Sequence, residues 1–253
     1  MGRPIYYFFG ADNMKEQIHL SCEFGEIIDL YGLCLIDGIY HIFFLYNSGS
    51  GHKKWGHYST TDFLQFRFSS GEADIVGYKA GKTHYFANTS GENVMMELVK
   101  TPDNARRSFL SLPRKAVLSG EELLKFPAEN LCDLREYKRK LTLREGEIAD
   151  SFGPVFEAIL NFSEKSFSFS LHDDILIECE NGNFSVRHNA LTQNFETENF
   201  DSIHIFSDIF SVEIFVGGKA LSLPTRKNEK STVTVLKGQC RAEIYKLKSI
   251  SII

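Results

Sequence analysis

The sequence lacks the features that mark membrane-spanning, secreted or nucleic-acid-binding proteins. No apolar run approaches membrane-spanning length, and the first residues, MGRPIYYFFG, are too short and too polar at their flanks for a signal peptide. The formal net charge is −5, so there is no basic excess to attract nucleic acid or an anionic membrane. We therefore expect a cytoplasmic protein without a nucleic-acid or membrane partner.

Close cysteine pairs are absent as well. The five cysteines are an odd number and are widely spread, and none of their spacings is that of a metal site. They are Cys22, Cys34, Cys132, Cys179 and Cys240. This pattern predicts free thiols in a reducing compartment, and it predicts neither a metal site nor a cofactor.

Short segments of strand type are abundant. Phenylalanine occurs 22 times, against a single tryptophan, and this composition favours strands. Residues 33–118 read as successive strands separated by turns, while residues 127–140 contain one short helical pattern. Strands at this regular spacing are typical of a sandwich, barrel or propeller, so the predicted fold class is all-β.

The segment EIIDLYGLCLIDGIYHIFFLYN, residues 26–47, predicts a hairpin and also contains an aspartate whose role is open. Asp37-Gly38 joins two apolar runs, which predicts a tight β-hairpin. Asp29, however, lies among apolar residues, where a lone carboxylate is costly unless it has a partner or a function. Asp29 either accepts a local backbone hydrogen bond or takes part in chemistry, and the local pattern leaves both open.

The last hundred residues alternate between apolar and polar side chains with a period of two, as in SFSFSL at 166–171. Antiparallel sheets with one buried face produce this alternation, so we predict a two-sheet β-sandwich. Phe167 and Phe169 are expected on one face of their strand and the intervening serines on the other. The predicted domains are residues 1–140 and 150–253, joined by a linker at 141–149.

A series of motifs follows in a fixed order along nearly the whole chain. They are Arg3-Pro4-Ile5-Tyr6-Tyr7-Phe8, Ile28-Asp29-Leu30-Tyr31-Gly32, YHIFFLYN at 40–47, WGHYSTTDF at 55–63, FLSLPRKAVLSGEELLKFPAENLCDLRE at 109–136 and SDIFSVEIFVGGKALSLPTR at 207–226. Together they resemble glycoside hydrolase family 32, the family of invertases, inulinases and levanases. No one motif is decisive, but their order makes the resemblance strong.

The resemblance implies a strongly shortened five-bladed β-propeller followed by a C-terminal antiparallel β-sandwich. The chain passes from segments of the first blade to segments of the last, so the middle blades are missing. With them go the family's R-D-P segment, whose Asp grips the fructose hydroxyls, and its E-C-P segment, whose Glu is the acid/base. No Arg-Asp or Asp-Pro pair occurs in the sequence.

The resemblance also implies site residues. Asp29 stands at the position of the family's nucleophile, although the Asn, Pro and Asn around it are replaced by Ile28, Leu30 and Tyr31. Trp55, His57 and Tyr31 are the implied substrate-binding residues, with ordinary core and rim packing as the alternative for Trp55 and His57.

The acid/base residue stays unknown. Glu92 and Glu97 could point to a cleft or be solvated strand residues. Glu178 precedes a cysteine, as the family's acid/base does, but it lies in a hairpin of the predicted sandwich and is rejected.

Three functions remain open at this point. The chain could be a reduced β-fructosidase acting on sucrose or a fructan, a non-catalytic carbohydrate-binding pseudoenzyme, or an assembly partner. Because two of the three catalytic carboxylates are missing, we predict no measurable invertase activity.

Two incomplete blades would also expose apolar faces, carrying Ile42, Phe44, Phe86 and Met96, and this predicts a homodimer. Face-to-face packing of the blades within one chain, or packing against the C-terminal domain, are the alternatives.

Overall fold

A computed structural model describes residues 15–22, 25–48, 52–72, 83–85, 93–100, 108–150, 152–189, 191–197, 200–226 and 231–253. Within these residues the chain forms strands and one short 3-10 helix, so the predicted all-β class is confirmed. The strands are β1 (Leu20–Ser21), β2 (Glu26–Ile36), β3 (Ile39–Asn47), β4 (Lys53–Thr60), β5 (Gln65–Glu72), β6 (Thr83–Tyr85), β7 (Asn93–Lys100), β8 (Ser108–Leu110), β9 (Arg114–Ser119), β10 (Glu122–Pro127), β11 (Arg135–Arg144), β12 (Ile148–Asp150), β13 (Phe156–Phe162), β14 (Ser166–Leu171), β15 (Ile175–Glu180), β16 (Asn183–His188), β17 (Leu191–Glu196), β18 (Ile203–Ser207), β19 (Ser211–Val216), β20 (Lys219–Pro224), β21 (Thr232–Lys237), β22 (Gln239–Leu247) and β23 (Ser251–Ile252). The 3-10 helix covers Glu129–Leu134.

The first sheet is an antiparallel meander with the order β2-β3-β4-β5, and β23 pairs in parallel with β5 at its edge. The predicted hairpin between β2 and β3 is confirmed. Asp37 and Gly38 have φ values of 50° and 77°, the left-handed conformation that a type I′ turn requires at both central positions. Asp and Gly tolerate this conformation better than other residues, which explains the sharp turn at this point.

The second sheet has the order β1-β8-β7-β9-β10, with β6 pairing on β7. It packs face to face against the first sheet around a shared hydrophobic cluster, the N-terminal core. Its members are Leu20, Cys22, Ile27, Leu30, Leu33, Ile42, Phe44, Tyr46, Tyr58, Phe63, Phe66, Val94, Met96 and Leu110. The expectation of exposed blade faces is therefore wrong for Ile42, Phe44 and Met96, which are buried within one chain. Phe86 lies outside the described residues.

The predicted sandwich is confirmed as two six-stranded antiparallel sheets. The inner sheet has the order β11-β22-β13-β18-β19-β20, and the outer sheet has the order β12-β21-β14-β15-β16-β17. Phe167 and Phe169 are both buried and point between the sheets, while the alternating serines of β14 are more exposed. Each fully buried phenylalanine of this kind stabilises the fold by roughly 1.5–3 kcal/mol.

Residues 141–149, which were expected to be a linker, lie in the end of β11, the start of β12 and the turn between them. Because β11 pairs with β22 over its whole length, the inner sandwich sheet begins at Arg135 rather than near residue 150.

A third hydrophobic cluster joins the N-terminal sheets to the inner sandwich sheet. Ile18, Leu112 and Leu131 on one side pack with Phe206 and Phe215 on the other.

All five cysteines are described, and none of them forms a disulfide. No helix in the described part of the chain is long and apolar enough to cross a membrane.

Candidate functional site

The candidate site lies on the face of the first sheet that points away from the N-terminal core, here called the outer face. Two irregularities in the pairing of β2 with β3 decide which residues of β2 reach it. They fall between Ile27 and Asp29 and between Leu30 and Gly32. Leu30 is therefore opposite Phe44 in the core, while Asp29 is opposite Leu45 on the outer face.

The other three residues implied by the resemblance come together on the same face. Tyr31 and Trp55 form an edge-to-face ring pair with centroids 4.6 Å apart, and His57 stacks on Phe43 at 4.6 Å and 13°. Phe43 remains 38% exposed, so these rings offer a solvent-accessible aromatic surface.

Gly56, between Trp55 and His57 on β4, leaves room for the Phe44 ring on the core side of the sheet. A Cβ at this residue would lie 2.3 Å from the Phe44 ring, so any larger residue would displace that ring. A cavity of about 350 Å³ opens on the outer face. It is lined by Phe43, Trp55, Gly56, His57, Ser69, Ser70 and Gly71. Its size falls within the range of small-ligand sites.

A chain of three polar side chains crosses the outer face beside this cavity. Ser69 Oγ lies 3.2 Å from His57 Nδ1, and His57 Nε2 lies 2.9 Å from His41 Nδ1. Burial lowers the pKa of His57, and the neighbouring His41 lowers it further. The His57 imidazole is therefore neutral at pH 7.

Asp29 itself accepts a hydrogen bond from the backbone N–H of Leu30 at 3.1 Å. This is the local backbone bond that one of the two sequence interpretations expects. It occupies only one of the two carboxylate oxygens, so the bond is compatible with either role for Asp29.

Neither described acid/base candidate is placed to assist Asp29. The carboxylate of Glu97, on β7 of the second sheet, is held by Arg114 at 2.8 Å and by Lys125 at 2.9 Å. Glu178, on the outer sandwich sheet, pairs with Arg187 at 2.6 Å. Glu92 lies outside the described residues.

A second polar cluster, the junction network, lies largely buried where the N-terminal sheets meet the sandwich. It consists of Glu16, His19, Glu97, Arg114, Lys125, Asp208 and Glu213. This network was not predicted from the sequence, although one signal was available. Glu213 lies in SVEIFV, a strand buried along its whole length, and the cost of a lone buried carboxylate applies there as it does to Asp29.

Asp208 fixes the N-terminal segment to the sandwich. Its carboxylate accepts hydrogen bonds from the consecutive backbone N–H groups of Gln17, Ile18 and His19, at 2.8–3.0 Å. It also accepts one from Ile209 at 2.8 Å. A carboxylate that accepts several backbone bonds is strongly favoured in its charged form.

Glu213 connects two buried cations. Its carboxylate receives Arg114 Nη2 at 2.8 Å and His19 Nε2 at 3.2 Å. Burial alone would raise the pKa of Glu213, but Arg114 and His19 more than offset this and lower it to about 2. Burial likewise opposes the charge on His19, yet hydrogen bonds to Asp208 and Glu213 raise its pKa to about 10.

Three groups of metal-ligand type meet in this network, since the ligand atoms of Glu16, His19 and Asp208 lie within 4.8 Å of one another. The His19 nitrogens are both engaged with carboxylates, and the Asp208 oxygens accept several N–H groups. Glu16 keeps one oxygen buried and without a hydrogen-bond partner. Burial and the nearby charge of Asp208 raise the pKa of Glu16 to about 8. The cluster is thus arranged as an ion-pair network with a protonated carboxyl.

Comparison with known proteins agrees with the resemblance seen in the sequence. The family description "Glycosyl hydrolases family 32 N-terminal domain" matches residues 19–73. The fold is similar to a GH32 beta-fructofuranosidase of Bombyx mori, with a TM-score of 0.74 and 12% identity over 94% of this chain and 95% of that one. A mutant of that enzyme in complex with sucrose gives a TM-score of 0.72 at 12% identity, with the same coverage of both chains.

A fructan 1-exohydrolase IIa of Cichorium intybus gives a TM-score of 0.65 at 10% identity, over 94% of this chain and 98% of that one. No curated protein matches the sequence. The resemblance to family 32 is confirmed by the matching N-terminal segment and by the fold of the chain.

Proposed function

We propose that this chain, related to glycoside hydrolase family 32 in its fold and its N-terminal segment, binds a fructoside or a related sugar on the outer face of the first sheet. The observation that carries the proposal is the Tyr31–Trp55 ring pair beside a cavity of about 350 Å³, with Asp29 on the same face. Aromatic rings offer flat apolar surface to a sugar, and a carboxylate accepts hydrogen bonds from its hydroxyls.

We further propose that the chain binds this sugar without hydrolysing it at an ordinary rate. A retaining glycosidase needs two carboxyl groups about 5–5.5 Å apart, one as nucleophile and one as acid/base. The ion pairs that hold Glu97 and Glu178 on other sheets support this proposal, because neither carboxylate can serve Asp29 from there.

Residual β-fructosidase activity is the second candidate. The observation that favours it is the position of Asp29, on the same ring-lined face as the cavity and with one oxygen not used by the Leu30 N–H.

Isothermal titration calorimetry with sucrose and with a short fructan tests the binding proposal. We expect Trp55→Ala and Tyr31→Ala each to weaken binding at least tenfold, because each removes one ring of the pair. Tyr137→Ala is the matched control, since Tyr137 is 63% exposed on β11 of the sandwich. Equal affinity in all three variants would exclude the outer face as the site.

An assay of reducing sugar released from sucrose tests the catalytic proposal. We expect no release that Asp29→Asn abolishes. Turnover on the order of 10 per second, lost in Asp29→Asn, would instead establish the β-fructosidase.

We do not propose a homodimer. The apolar side chains expected to form its interface, those of Ile42, Phe44 and Met96, are buried within one chain. For the domains, we propose an N-terminal unit that ends near the 3-10 helix and a sandwich that begins near residue 135. A cytoplasmic location stays a prediction from the sequence.

A further inference from the structure

The chain of Ser69, His57 and His41 has a geometry that sugar binding does not require. His57 lies directly opposite Ser69 on β5 and directly opposite Phe43 on β3. Side chains opposite one another in antiparallel strands have Cβ atoms about 4.5–5.5 Å apart. The Ser69 hydroxyl therefore reaches Nδ1 of the imidazole, while Nε2 reaches across the sheet to His41.

The protonation state of His57, between Ser69 and His41, follows from its surroundings. The neutral His57 imidazole has one nitrogen that accepts a hydrogen bond and one that donates. In one tautomer, Ser69 O–H donates to Nδ1 of His57, and the Nε2–H of His57 donates to Nδ1 of His41. This is the arrangement of a hydroxyl nucleophile, a general base and a third group that orients the base. Phe43, stacked at 4.6 Å, holds the plane of the ring.

We propose that Ser69 is a nucleophile that accepts acyl groups from esters, with His57 as its general base and His41 as a positioning residue. Ser69 Oγ forms a bond to the ester carbonyl carbon while its proton passes to His57 Nδ1. The carbon–oxygen bond to the alcohol then breaks, and the alcohol leaves with that proton. A water molecule deprotonated by His57 next attacks the acyl-serine. A carboxylic acid is released, and the Ser69 hydroxyl is restored.

The backbone beside Ser69 supplies a donor for the developing oxyanion. Phe68 N–H points to the sheet edge, where it donates to the carbonyl of Ile253. Because N–H groups alternate along a strand, Ser70 N–H points to the same edge, beyond the residues that β23 pairs. The N–H of the residue that follows a nucleophilic serine serves as an oxyanion donor in other hydrolases.

The cavity suggests the substrate class. Its volume of about 350 Å³ suits a small acyl group, and the Phe43 and Trp55 rings beside it suit a sugar. The favoured substrate is therefore an O-acetylated sugar. This choice of alcohol rests on the proposed function, whereas the reactivity of Ser69 does not.

Labelling with a fluorophosphonate probe, with peptide mass spectrometry to locate the adduct, tests the nucleophile directly. We expect the adduct on Ser69 and no labelling there in Ser69→Ala. We expect His57→Gln to slow labelling at least a hundredfold, since general bases contribute about 10²–10⁴-fold. Ser59→Ala is the matched control. Ser59 lies on the same face, opposite His41, and bonds to no imidazole among the described residues.

The pH dependence of the labelling rate distinguishes a reactive Ser69–His57 pair from a pair that only stabilises the sheet. We expect the labelling rate to fall as the pH drops through the lowered pKa of His57, and we expect His41→Phe to move this midpoint. Labelling of Ser69 no faster than of Ser59, or a rate unchanged in His57→Gln with its circular dichroism intact, would overturn the proposal.

Hydrolysis of p-nitrophenyl acetate and of acetylated sucrose separates the two parts of the proposal. If Ser69 labels and cleaves the simple ester but not the sugar ester, then the sugar part fails and the nucleophile stands. Sugar binding at Trp55 is measured independently by calorimetry, so its failure would not be confused with the loss of Ser69 reactivity.

Discussion

Replacement of Glu16 by glutamine is expected to stabilise the protein above neutral pH. The Oε1 atom of Glu16 is buried without a hydrogen-bond partner, and burial together with Asp208 raises its pKa from the usual 4.5 to about 8. Glutamine keeps the shape of the side chain and its bond from Phe210 N–H. It also removes a fourth carboxylate from a network in which three carboxylates already balance three cations.

Whether stability rises or falls with pH follows from the direction of the Glu16 pKa shift. A raised pKa means that the folded state holds the Glu16 proton more tightly than the unfolded state does. The stability gained from this proton is complete below about pH 4.5 and is lost as the pH rises to about 8. Above pH 8 the wild-type protein carries an ionised, incompletely satisfied carboxylate in the junction. The glutamine variant does not.

The expected gain is about 1–3 kcal/mol at pH 9, the range for a buried polar group without a partner. Each pKa unit corresponds to about 1.4 kcal/mol, so the full shift sets an upper limit of roughly 5 kcal/mol. Urea unfolding at several values between pH 4.5 and pH 9, followed by the fluorescence of the single tryptophan, measures the gain. The difference between variant and wild type should be small at pH 4.5 and largest at pH 9.

Glu121→Gln serves as the matched control, because Glu121 is exposed in the turn between β9 and β10. We expect no pH-dependent difference from the wild type for this variant. A Glu16→Gln protein that is equally stable or less stable than the wild type at pH 9 would show that the ionised Glu16 carboxylate does not destabilise the junction network.

Other consequences of the structure can be tested in the same way. Arg114→Met removes the buried cation that Glu97 and Glu213 share and should cost about 3–5 kcal/mol in urea unfolding. The corresponding change at the exposed Arg187 should cost less than about 1 kcal/mol, and equal losses would contradict a special role for the network. Gly56→Ala should cost about 1–3 kcal/mol by overpacking against Phe44, whereas Gly71→Ala, with open space around it, should be near neutral in the same assay. Light scattering at micromolar concentration should show a monomer, and a stable dimer would contradict the burial of the blade faces within one chain.

The parts of the fold that could be predicted from the sequence are those set by local patterns. Asp37-Gly38 specifies its turn because few other dipeptides tolerate two left-handed residues. The alternation of SFSFSL specifies which side of β14 is buried because side chains on a strand point to opposite faces in turn. The motif order predicted the family resemblance and, through it, the four residues that share the outer face of the first sheet.

The parts that could not be predicted depend on contacts between distant segments. Arg114 and Glu213 are 99 positions apart in the sequence, and His19 and Glu213 are 194 apart. No local pattern reveals that such residues will meet. The face-to-face packing of the two N-terminal sheets is a property of the same kind, and this is why Phe44 was expected at the surface and lies in the core.

The proposed start of the sandwich near residue 135 could not be predicted from the sequence for a related reason. Residues 135–144 contain five lysine or arginine side chains, and most of the segment is exposed because β11 is an edge strand of the inner sheet. A charged edge strand has only a weak apolar alternation. Its pairing with β22, a hundred residues further on, identifies it as part of the sandwich.

A fluorescence titration of Trp55 with sucrose is the most direct test of sugar binding on the outer face of the first sheet. Trp55 is the only tryptophan in the sequence, so its emission reports on the proposed sugar site without interference from elsewhere. We expect a saturable change in emission with one site per chain, and no release of glucose or fructose from the bound sugar during the measurement. Emission that does not respond to sucrose or to a fructan at any concentration, or steady release of fructose, would contradict it.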